Sequence, residues 1–338
     1  MSIGGNILRW WCIYFRHTRK NSKLAYYLRG WLMLLTPRWL CRLRKQRLFR
    51  KFQRMSDNEK HLITERVNYY CNPVIPASIP ADAPRIGEMT LRHRVKFNGG
   101  KMNSVYFFDS YEYSRCFPKD KQWLFFGGDC NYNFPQPVIT KARLIAPNGD
   151  TNNNVLLNMN KVRHFTWIYD PFKWEEKNGM VLFRGDATGK PARQRFMQMW
   201  QEHPLCDIES TGKMALYDHL KYRYIMALEG NDVASNLKWV MSSNSVAVMP
   251  RPTCETWFME GKLIPDYHYI EIAPDFHNLI EKIEYYESHP DEAKAIVRHA
   301  HEWVRQFQDK EREDIISLMV LDKYFQLTGQ YSKCLDVK

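Results

Sequence analysis

Hydrophobic and polar positions alternate with a characteristic rhythm in the second half of the chain. Beyond residue 180, short apolar runs such as 181–183 and 245–249 alternate with longer stretches such as 291–307, in which apolar side chains recur at helical spacing. Strands that alternate with helices predict a parallel sheet whose strands are joined by crossover helices. We therefore assign this half of the chain to the α/β class.

The first half has shorter apolar runs and a proline-rich break. Four prolines punctuate 73–90, which therefore cannot be helical throughout and predicts a connector at which a new domain starts. After it, strands are predicted over 104–108, 123–126 and 155–158, separated by turn-forming clusters. The predicted domains are a basic helical segment over 1–72, the connector over 73–90, an N-terminal lobe over 91–172, a C-terminal lobe over 173–308 and a tail over 309–338.

The net charge of +12 is concentrated at one end of the chain. Fourteen Lys and Arg residues lie between Arg9 and Arg54, the first acid is Asp57, and the remainder carries a net charge of −2. A nearly neutral body argues against a basic groove for nucleic acid. The composition, with 44% hydrophobic and 25% charged residues, is that of a folded protein and excludes intrinsic disorder.

The basic segment is also rich in aromatic residues, which prefer the level of lipid headgroups. Its longest mostly apolar run, 24–35, is too short for a bilayer, which takes about twenty residues, so we expect neither a transmembrane helix nor a secretory signal. We interpret 7–54 as helices on an anionic membrane surface, where each basic residue adds about 1 kcal/mol of attraction. The alternative is a basic helical hairpin that packs on the body or binds RNA. Its Trp and Tyr residues are Trp10, Trp11, Tyr14, Tyr26, Tyr27, Trp31 and Trp39.

The spacing of cysteine and histidine predicts no metal site. The eight cysteines form no Cys-x-x-Cys pair and have no closely spaced histidines, so we expect reduced, mostly buried thiols of a cytosolic protein. His299 and His301 lie two residues apart in a predicted helix, where their side chains diverge. We interpret them as part of a solvated face.

Two predicted strand ends have the residues to bind an anion. Parallel α/β sheets bind ligands at the C-terminal ends of their strands, where helix N-termini offer free N–H groups. In 183–190, Gly185 allows close backbone approach and Arg184 can donate two hydrogen bonds to a phosphate. In 229–238, a strand turns into a helix through Gly230. The alternative is that Arg184 forms a salt bridge and Gly230 is an ordinary turn.

A series of short strings between residues 120 and 308 resembles one protein family. The strings are 181–185, 221–224 running into 229–230, Ser235, Lys238, 243–246, 268–270 and 275–279. In this order and spacing they resemble glycosyltransferase family 90, which includes lipopolysaccharide core glycosyltransferases of Gram-negative bacteria and protein O-glucosyltransferases of animals. Strings at 127–129, 161–165 and 230–232 make the bacterial branch the closer likeness.

The resemblance implies a GT-B-like architecture, with two Rossmann-like lobes and a cleft between them, to which the basic helical N-terminal extension is added. Residues 91–172 would form the acceptor-side lobe and 173–308 the lobe that binds the nucleotide sugar, while the helix in 309–338 would cross back to the first lobe. Transfer from a UDP-sugar with inversion, and no metal or other cofactor, is also implied. The chain has no Asp-x-Asp pair of the kind that holds a divalent cation in the other main class of these enzymes.

Inversion by direct displacement needs a base that takes the proton from the acceptor hydroxyl. The family places an aspartate in a loop of the N-terminal lobe, followed shortly by a proline. Asp129, ahead of Pro135, is the matching residue, although the interval is longer here. Asp109, after the strand predicted over 104–108, is the alternative carboxylate near the cleft, and a structural role for both is the remaining interpretation.

The resemblance also assigns residues to the donor. Arg184 and Gly185, with Arg193 on the incoming helix, are the expected contacts of the diphosphate. Ser235 and Lys238 carry over as further donor-binding residues.

Five other positions follow from the resemblance with alternatives left open. The animal enzymes have a basic residue where this chain has Asn236, so that one phosphate contact is either lost or replaced by backbone N–H groups at 232–234, beginning with Asp232. Glu255 either accepts hydrogen bonds from the ribose or is a surface acid. Arg163 and His164 reach the cleft, with a packed core histidine as the alternative for His164.

Together these features predict an inverting, metal-independent glycosyltransferase. We expect it to move a hexose from a UDP-sugar to a lipopolysaccharide or lipooligosaccharide core, as a peripheral protein on the cytoplasmic face of the inner membrane, with no nucleic-acid partner. The alternatives are transfer to a protein Ser or Thr, and a non-catalytic membrane- or RNA-binding protein on a transferase-like fold.

Overall fold

The computed structural model describes residues 21–89, 103–146, 151–210 and 214–331. These residues group into two compact units, each built from separate stretches of chain. The large-sheet unit contains 21–22, 162–253 and 260–306. The small-sheet unit contains the described residues of 23–161, 254–259 and 307–331.

Helices and strands are numbered in chain order. The helices are α1 (Lys23–Leu35), α2 (Arg38–Gln53), α3 (Asp57–Tyr70), α4 (Ser104–Ser114), α5 (Lys161–His164), α6 (Pro191–Trp200), α7 (Leu216–His219), α8 (Leu237–Met241), α9 (Leu279–Ser288), α10 (Pro290–Arg305) and α11 (Lys310–Leu327). The strands are β1 (Leu124–Phe125), β2 (Val138–Thr140), β3 (Ala142–Leu144), β4 (Asn154–Leu156), β5 (Asn178–Arg184), β6 (Cys206–Glu209), β7 (Tyr222–Met226), β8 (Val246–Met249), β9 (Cys254–Thr256) and β10 (Ile270–Glu271).

A five-stranded parallel sheet forms the centre of the large-sheet unit, which confirms the predicted class. Its order is β6–β5–β7–β8–β10, and Val181 lies opposite Cys206 on one side and Tyr224 on the other. Strand β8 is apolar and buried throughout, and β5 and β7 are buried over 181–183 and 224–226, as expected of parallel strands that are covered on both faces. Strand β5 is the first strand of this sheet in the chain, but it lies between β6 and β7, the next two strands. The chain therefore adds β6 on one side of β5 and β7 on the other, so the direction of strand addition reverses between β5 and β7. Such a switch point is where open α/β sheets bind ligands.

The loops after β5 and β7 lead into helices in different ways. Pro191 occupies the first position of α6, where a helix needs no N–H, as the sequence predicts. The helix expected from Asp232 begins only at Leu237. The side chain of Asn236 donates to the carbonyl oxygen of Met226, the last residue of β7, at 2.8 Å and so holds the loop against the strand end. Residues 231–235 therefore remain part of the loop at the strand end.

The small-sheet unit contains a parallel sheet in the order β1–β2–β4. Strands β1 and β4 overlap the strands predicted over 123–126 and 155–158, whereas β2 was not predicted. Strand β3 pairs with β9 in antiparallel register, with Arg143 opposite Glu255. The strand predicted over 104–108 is wrong, because these residues form the first half of α4. Eight of the 11 residues of α4 are buried, and an apolar run that is covered on all sides has no period that separates helix from strand.

A buried ion pair joins α3 to α11 within the small-sheet unit. The guanidinium of Arg66 lies 2.6 and 3.1 Å from the two carboxylate oxygens of Glu313 and also donates to the hydroxyl of Tyr70 at 2.9 Å. The indole N–H of Trp257 donates to the same carboxylate. Helix α11 therefore belongs to the small-sheet unit, although it follows the last strand of the large sheet.

Cys41 of α2 and Cys116, just after α4, are joined by a disulfide, with Cα atoms 5.0 Å apart. The expectation that all eight cysteines are reduced is therefore wrong for this pair. The two cysteines are separated by 75 residues and form no motif, so only the packing of the helices brings them together. The buried free thiols expected from the sequence are Cys71, Cys130, Cys206 and Cys254.

The described part of the basic segment packs one face on α4. The ring of Phe108 makes edge-to-face contacts with Tyr26, Tyr27 and Trp31, at centroid distances of 6.4, 6.0 and 6.0 Å. A Cβ atom on Gly30 would lie 2.7 Å from the same ring. One face of α1 therefore packs on the rest of the small-sheet unit, which was one of the two interpretations of this segment. Within the described ranges, no helix is both long and apolar enough to cross a membrane.

We expect Gly30→Ala to destabilise the protein, although alanine is the better helix former by about 1 kcal/mol. The added methyl group would lie 2.7 Å from the Phe108 ring, and such overpacking costs about 1–3 kcal/mol. Urea unfolding measures the change. In a Phe108→Ala background the ring is absent, so the same substitution should stabilise the protein. Destabilisation in both backgrounds would refute the close-packing explanation.

Candidate active site

The two predicted anion-binding strand ends are neighbours in the large sheet. The loop after β5 begins at Gly185, and the loop at the end of β7 contains Gly230. Strands β5 and β7 pair in parallel on the two sides of the switch point, so their carboxyl ends meet at the same edge of the sheet. The structure thus brings together two segments that the sequence proposed separately.

Arg193, in the first turn of α6, joins these two loops. Cβ atoms on Gly185 and Gly230 would lie 3.4 and 3.2 Å from its guanidinium nitrogens, so glycine lets both loops approach the side chain closely. The guanidinium donates to three backbone carbonyl oxygens, those of Asp186, Leu228 and Glu229, at 2.9, 2.7 and 3.0 Å.

Cations accumulate around Arg193. Burial lowers the pKa of Arg193, the charge of Asp186 opposes this effect, and the nearby charge of Arg163 lowers the pKa further. Lys190 adds a third cation and contacts Asp186 at 3.1 Å. Hydrogen bonds from Thr188 and Lys190 lower the pKa of Asp186 to about 2. A group of cations beside glycine-containing loops at a switch point is suited to bind a phosphate group.

The guanidinium of Arg184 is bound to the edge strand β6. It donates to the carboxylate of Asp207 and, at 2.8 Å, to the Asp207 carbonyl oxygen, and its Nε lies 3.7 Å from the carboxylate of Glu209. Only 7% of the Arg184 side chain is exposed. This is the salt bridge that the sequence left open as the alternative to a phosphate contact.

The other predicted donor residues lie in the loop after β7 and in α8. Ser235 is half-buried, and Asp232, which is buried, accepts a hydrogen bond from the Gly230 N–H through its carbonyl oxygen at 3.1 Å. Lys238 is fully buried, and its ammonium forms an ion pair with the buried carboxylate of Glu260. Lys238 therefore lies in the interior of the large-sheet unit.

The predicted base, Asp129, lies in the small-sheet unit, in the loop after β1. Its Oδ1 accepts hydrogen bonds from Lys141 Nζ at 2.7 Å and from the hydroxyl of Tyr106 at 3.3 Å. Lys141 directly follows β2, so Asp129 and Lys141 come from the carboxyl ends of neighbouring parallel strands. The Lys141 side chain is 2% exposed, whereas that of Asp129 is 31% exposed. A buried cation thus orients a carboxylate that still reaches solvent, as a proton acceptor for an external hydroxyl requires.

The sequence reasoning missed Lys141. A signal was present, because Lys141 and Arg143 interrupt an apolar run over 138–144. A charge within a buried strand needs a partner. This pattern could have directed attention to a nearby acid.

Two other predicted carboxylates in the small-sheet unit are buried. Asp109 lies on α4 rather than after a strand, accepts from the Lys161 N–H at 2.9 Å, and has its pKa raised to about 6 by burial. Glu255 pairs with Arg143 at 2.7 Å through one oxygen and accepts from the Tyr69 hydroxyl through the other. The interpretation of Glu255 as a surface acid is therefore wrong. Glu255 also belongs to a different unit from the loops at the switch point.

Arg163 and His164 differ in exposure. Arg163 is exposed, whereas His164 is buried, as in its alternative interpretation as a packed histidine. The described part of the chain contains no group of three or more His, Cys, Asp or Glu residues that could hold a metal ion.

Comparisons with known proteins identify one family. Residues 157–338 match the model of glycosyl transferase family 90, a region that includes the switch-point loops but not Asp129. The chain is 36% identical to the O-glucosyltransferase LpsA of Dichelobacter nodosus, over 91% of this chain and 97% of that protein. It is 26% identical to human protein O-glucosyltransferase 3, over 56% of this chain and 38% of that protein. With human protein O-glucosyltransferase 1 the identity is 26%, over 39% and 38% respectively.

We expect Lys238→Met to lower the free energy of unfolding by about 3–5 kcal/mol, because it leaves the Glu260 carboxylate buried without its cation. The matched control is Lys294→Met, since the pair of Lys294 with Glu175 is largely exposed and such pairs contribute about 1 kcal/mol at most. Urea unfolding measures the free energy of unfolding of both variants. Adding Glu260→Gln to Lys238→Met should recover part of the loss. Equal effects of the two single substitutions would contradict a structural role for Lys238.

Proposed function

The chain belongs to glycosyl transferase family 90, and we propose that it transfers a hexose from a UDP-sugar to a lipopolysaccharide or lipooligosaccharide core, with inversion and without a metal ion. The observation that carries the proposal is the position of Arg193 between Gly185 and Gly230 at the switch point. The name of the Dichelobacter nodosus relative makes glucose the first sugar to test.

The proposed donor site holds the diphosphate at the carboxyl ends of β5 and β7. Arg193 supplies the main cation, with Arg163 and Lys190 beside it, and the two glycines leave room for the phosphates to approach the backbone. Arg184 has a positioning role, because its ion pair with Asp207 orders the end of β5. The resemblance assigned Arg184 and Arg193 together to the diphosphate, and the contacts of Arg184 with β6 are the reason for assigning the main role to Arg193.

In the proposed reaction, the acceptor hydroxyl oxygen attacks the anomeric carbon of the sugar. Its proton passes to the carboxylate of Asp129, which Lys141 and Tyr106 hold in place. The bond between the anomeric carbon and the diphosphate oxygen breaks, and UDP leaves with the bonding electrons. The negative charge that grows on the diphosphate is stabilised by the arginine and lysine side chains, in the role that a metal ion has in other enzymes.

We propose that the acceptor is lipid-linked and that the enzyme works at the cytoplasmic face of the inner membrane. The name of the relative with 97% coverage and the basic, aromatic helices α1 and α2 support this assignment. Transfer to a protein hydroxyl is the second candidate, which the names of the animal relatives favour.

We expect Asp129→Asn to reduce transfer from UDP-glucose to a core oligosaccharide by about a hundred-fold to ten-thousand-fold, because the general base is lost. UDP affinity should remain nearly unchanged, since the carboxylate meets the acceptor and not the diphosphate. Asp109→Asn is the matched control and should retain most of the activity. Calorimetric titration with UDP and steady-state transfer rates measure both effects. A normal transfer rate in Asp129→Asn would remove Asp129 from the mechanism. The same conclusion would follow if Asp109→Asn lost its activity while Asp129→Asn kept it.

We expect Arg193→Ala to weaken UDP binding and to lower kcat by about 10²–10³, because the charge it meets grows in the transition state. Arg184→Ala removes an arginine side chain at the end of β5 and should affect thermal stability more than kcat. EDTA should leave the rate unchanged. Steady-state kinetics of both variants, with and without EDTA, test the assignment. A requirement for Mn²⁺ or Mg²⁺ would contradict the metal-free mechanism, and a larger kinetic loss in Arg184→Ala would return the main role to Arg184.

A further inference from the structure

Helices α1 and α2 present an exposed apolar face in the small-sheet unit. Proteins rarely leave many large apolar side chains exposed together unless the face binds another surface. On α1 these side chains recur at helical spacing and therefore lie on one side of the helix. They are Leu24, Leu28, Trp31, Leu32 and Leu35, of which between 56 and 81% is exposed. On α2 they are Trp39, Leu40 and Leu43, of which between 41 and 58% is exposed.

The charge of these helices identifies the kind of surface. Residues 21–54 contain ten Lys or Arg residues and no Asp or Glu. A nucleic acid would neutralise the cations but leave the leucines in water. An anionic bilayer satisfies both properties, since its headgroups attract the cations and its acyl region accepts the apolar side chains.

A pocket of about 350 Å³ opens in this face. Arg29 and Arg44 line it with 64% and 41% of their side chains exposed, so both can meet a ligand that enters from outside. Arg115, which is buried, donates to the carbonyl oxygens of Met33 and Thr36 and so fixes the end of α1. The apolar lining residues are Leu32, Met33, Leu40 and Cys41.

Positive charge predominates at the pocket. Glu112 lines it and is contacted by three cations, Arg29 at 2.8 Å, Lys161 at 2.6 Å and Lys310 at 3.5 Å. Although burial alone would raise the pKa of Glu112, these cations lower it. A second buried carboxylate, Asp314, pairs with Arg44 and, at 2.9 Å, with Lys310, and Asp109 lies 3.8 Å from Lys161. The three carboxylates are outnumbered by five cations, which are Arg29, Arg44, Arg115, Lys161 and Lys310. A phosphate that reaches the exposed guanidinium groups of Arg29 and Arg44 therefore meets a net positive charge.

We propose that this pocket binds one anionic glycerophospholipid of the membrane. Part of an acyl chain lies against Leu32 and Leu40, and the phosphate contacts Arg29 and Arg44. The inference rests on the membrane part of the proposed function and deepens it. General attraction would hold the protein near any anionic surface, whereas a bound lipid fixes the face that α1 and α2 turn toward the bilayer.

The test titrates the full chain with dihexanoylphosphatidylglycerol below its micelle concentration, followed by calorimetry. We expect saturation at one lipid per chain and at least about tenfold weaker binding of dihexanoylphosphatidylcholine, which corresponds to about 1.4 kcal/mol. Glycerol 3-phosphate, which has the charge but no acyl chain, should bind more weakly than both lipids.

Two matched pairs of variants separate the pocket from the surrounding surface. Leu40→Trp fills the pocket, whereas Leu43→Trp places the same side chain on the same helix outside the lining. Arg29→Gln removes a cation of the pocket, whereas Arg42→Gln removes one beyond it. We expect Leu40→Trp and Arg29→Gln to weaken binding of the soluble lipid by about tenfold or more and the two controls to leave it nearly unchanged. Thermal unfolding shows whether each variant is folded.

The proposal would be overturned if phosphatidylglycerol bound without saturation or if the two lipids bound with equal affinity. It would also be overturned if a pocket variant and its matched control changed lipid affinity equally. A concentration-dependent dimer that Leu40→Trp dissociates would also overturn it, because the face would then belong to a second copy of the chain. Co-sedimentation with phosphatidylglycerol liposomes distinguishes failure of the pocket from failure of the membrane role. Leu40→Trp should still sediment, since the cations and most of the apolar face remain, whereas absence of sedimentation by the unaltered protein would contradict membrane binding itself.

Discussion

A charge that is removed from water must meet an opposite charge, and this constraint organises the small-sheet unit. Arg66 and Glu313 are both buried and come from helices at opposite ends of the chain. Arg143 and Glu255 form a second buried pair, which joins β3 to β9. Because breaking a buried pair is more costly than never forming one, the partners must arrive together. The short segment 254–259 therefore leaves the large-sheet unit and contributes Glu255 and Trp257 to the small-sheet unit.

The same rule separates structural charges from those that can bind ligands. Lys238 is enclosed with its own carboxylate, and Arg184 is held by Asp207. By contrast, Arg193 donates to backbone carbonyl oxygens, which carry only partial charges, and lies near a second guanidinium. Arg29 shares a single carboxylate with two lysines. These less fully neutralised cations occur at the two places where we propose anionic ligands, the diphosphate and the lipid phosphate.

The sequence predicted those features that depend on local pattern. The strands around Val181 and Val248, the proline that opens α6 and the two glycine-containing strand ends follow from hydrophobic runs and turn chemistry, and all are present. The sequence could not decide which arginine lies between the loops, because that depends on the pairing of Arg184 with a residue of another strand. It also could not reveal the helix at 104–108, whose residues are buried on all sides. Lys141 escaped notice because its partner is known only after the strands of the small sheet are aligned.

The discontinuous composition of the small-sheet unit has a consequence for synthesis on the ribosome. Nearly all of the large-sheet unit is encoded by one stretch, 162–306, so it can fold as soon as that stretch has emerged, whereas β1, β2 and β4 emerge earlier but must wait for β9 and α11. Until Glu313 has been translated, Arg66 lacks its carboxylate partner, and the faces of α3 and α4 that pack on α11 have no cover. A nascent chain that stalls before this point would expose those faces, and would therefore be a substrate for chaperones and proteases.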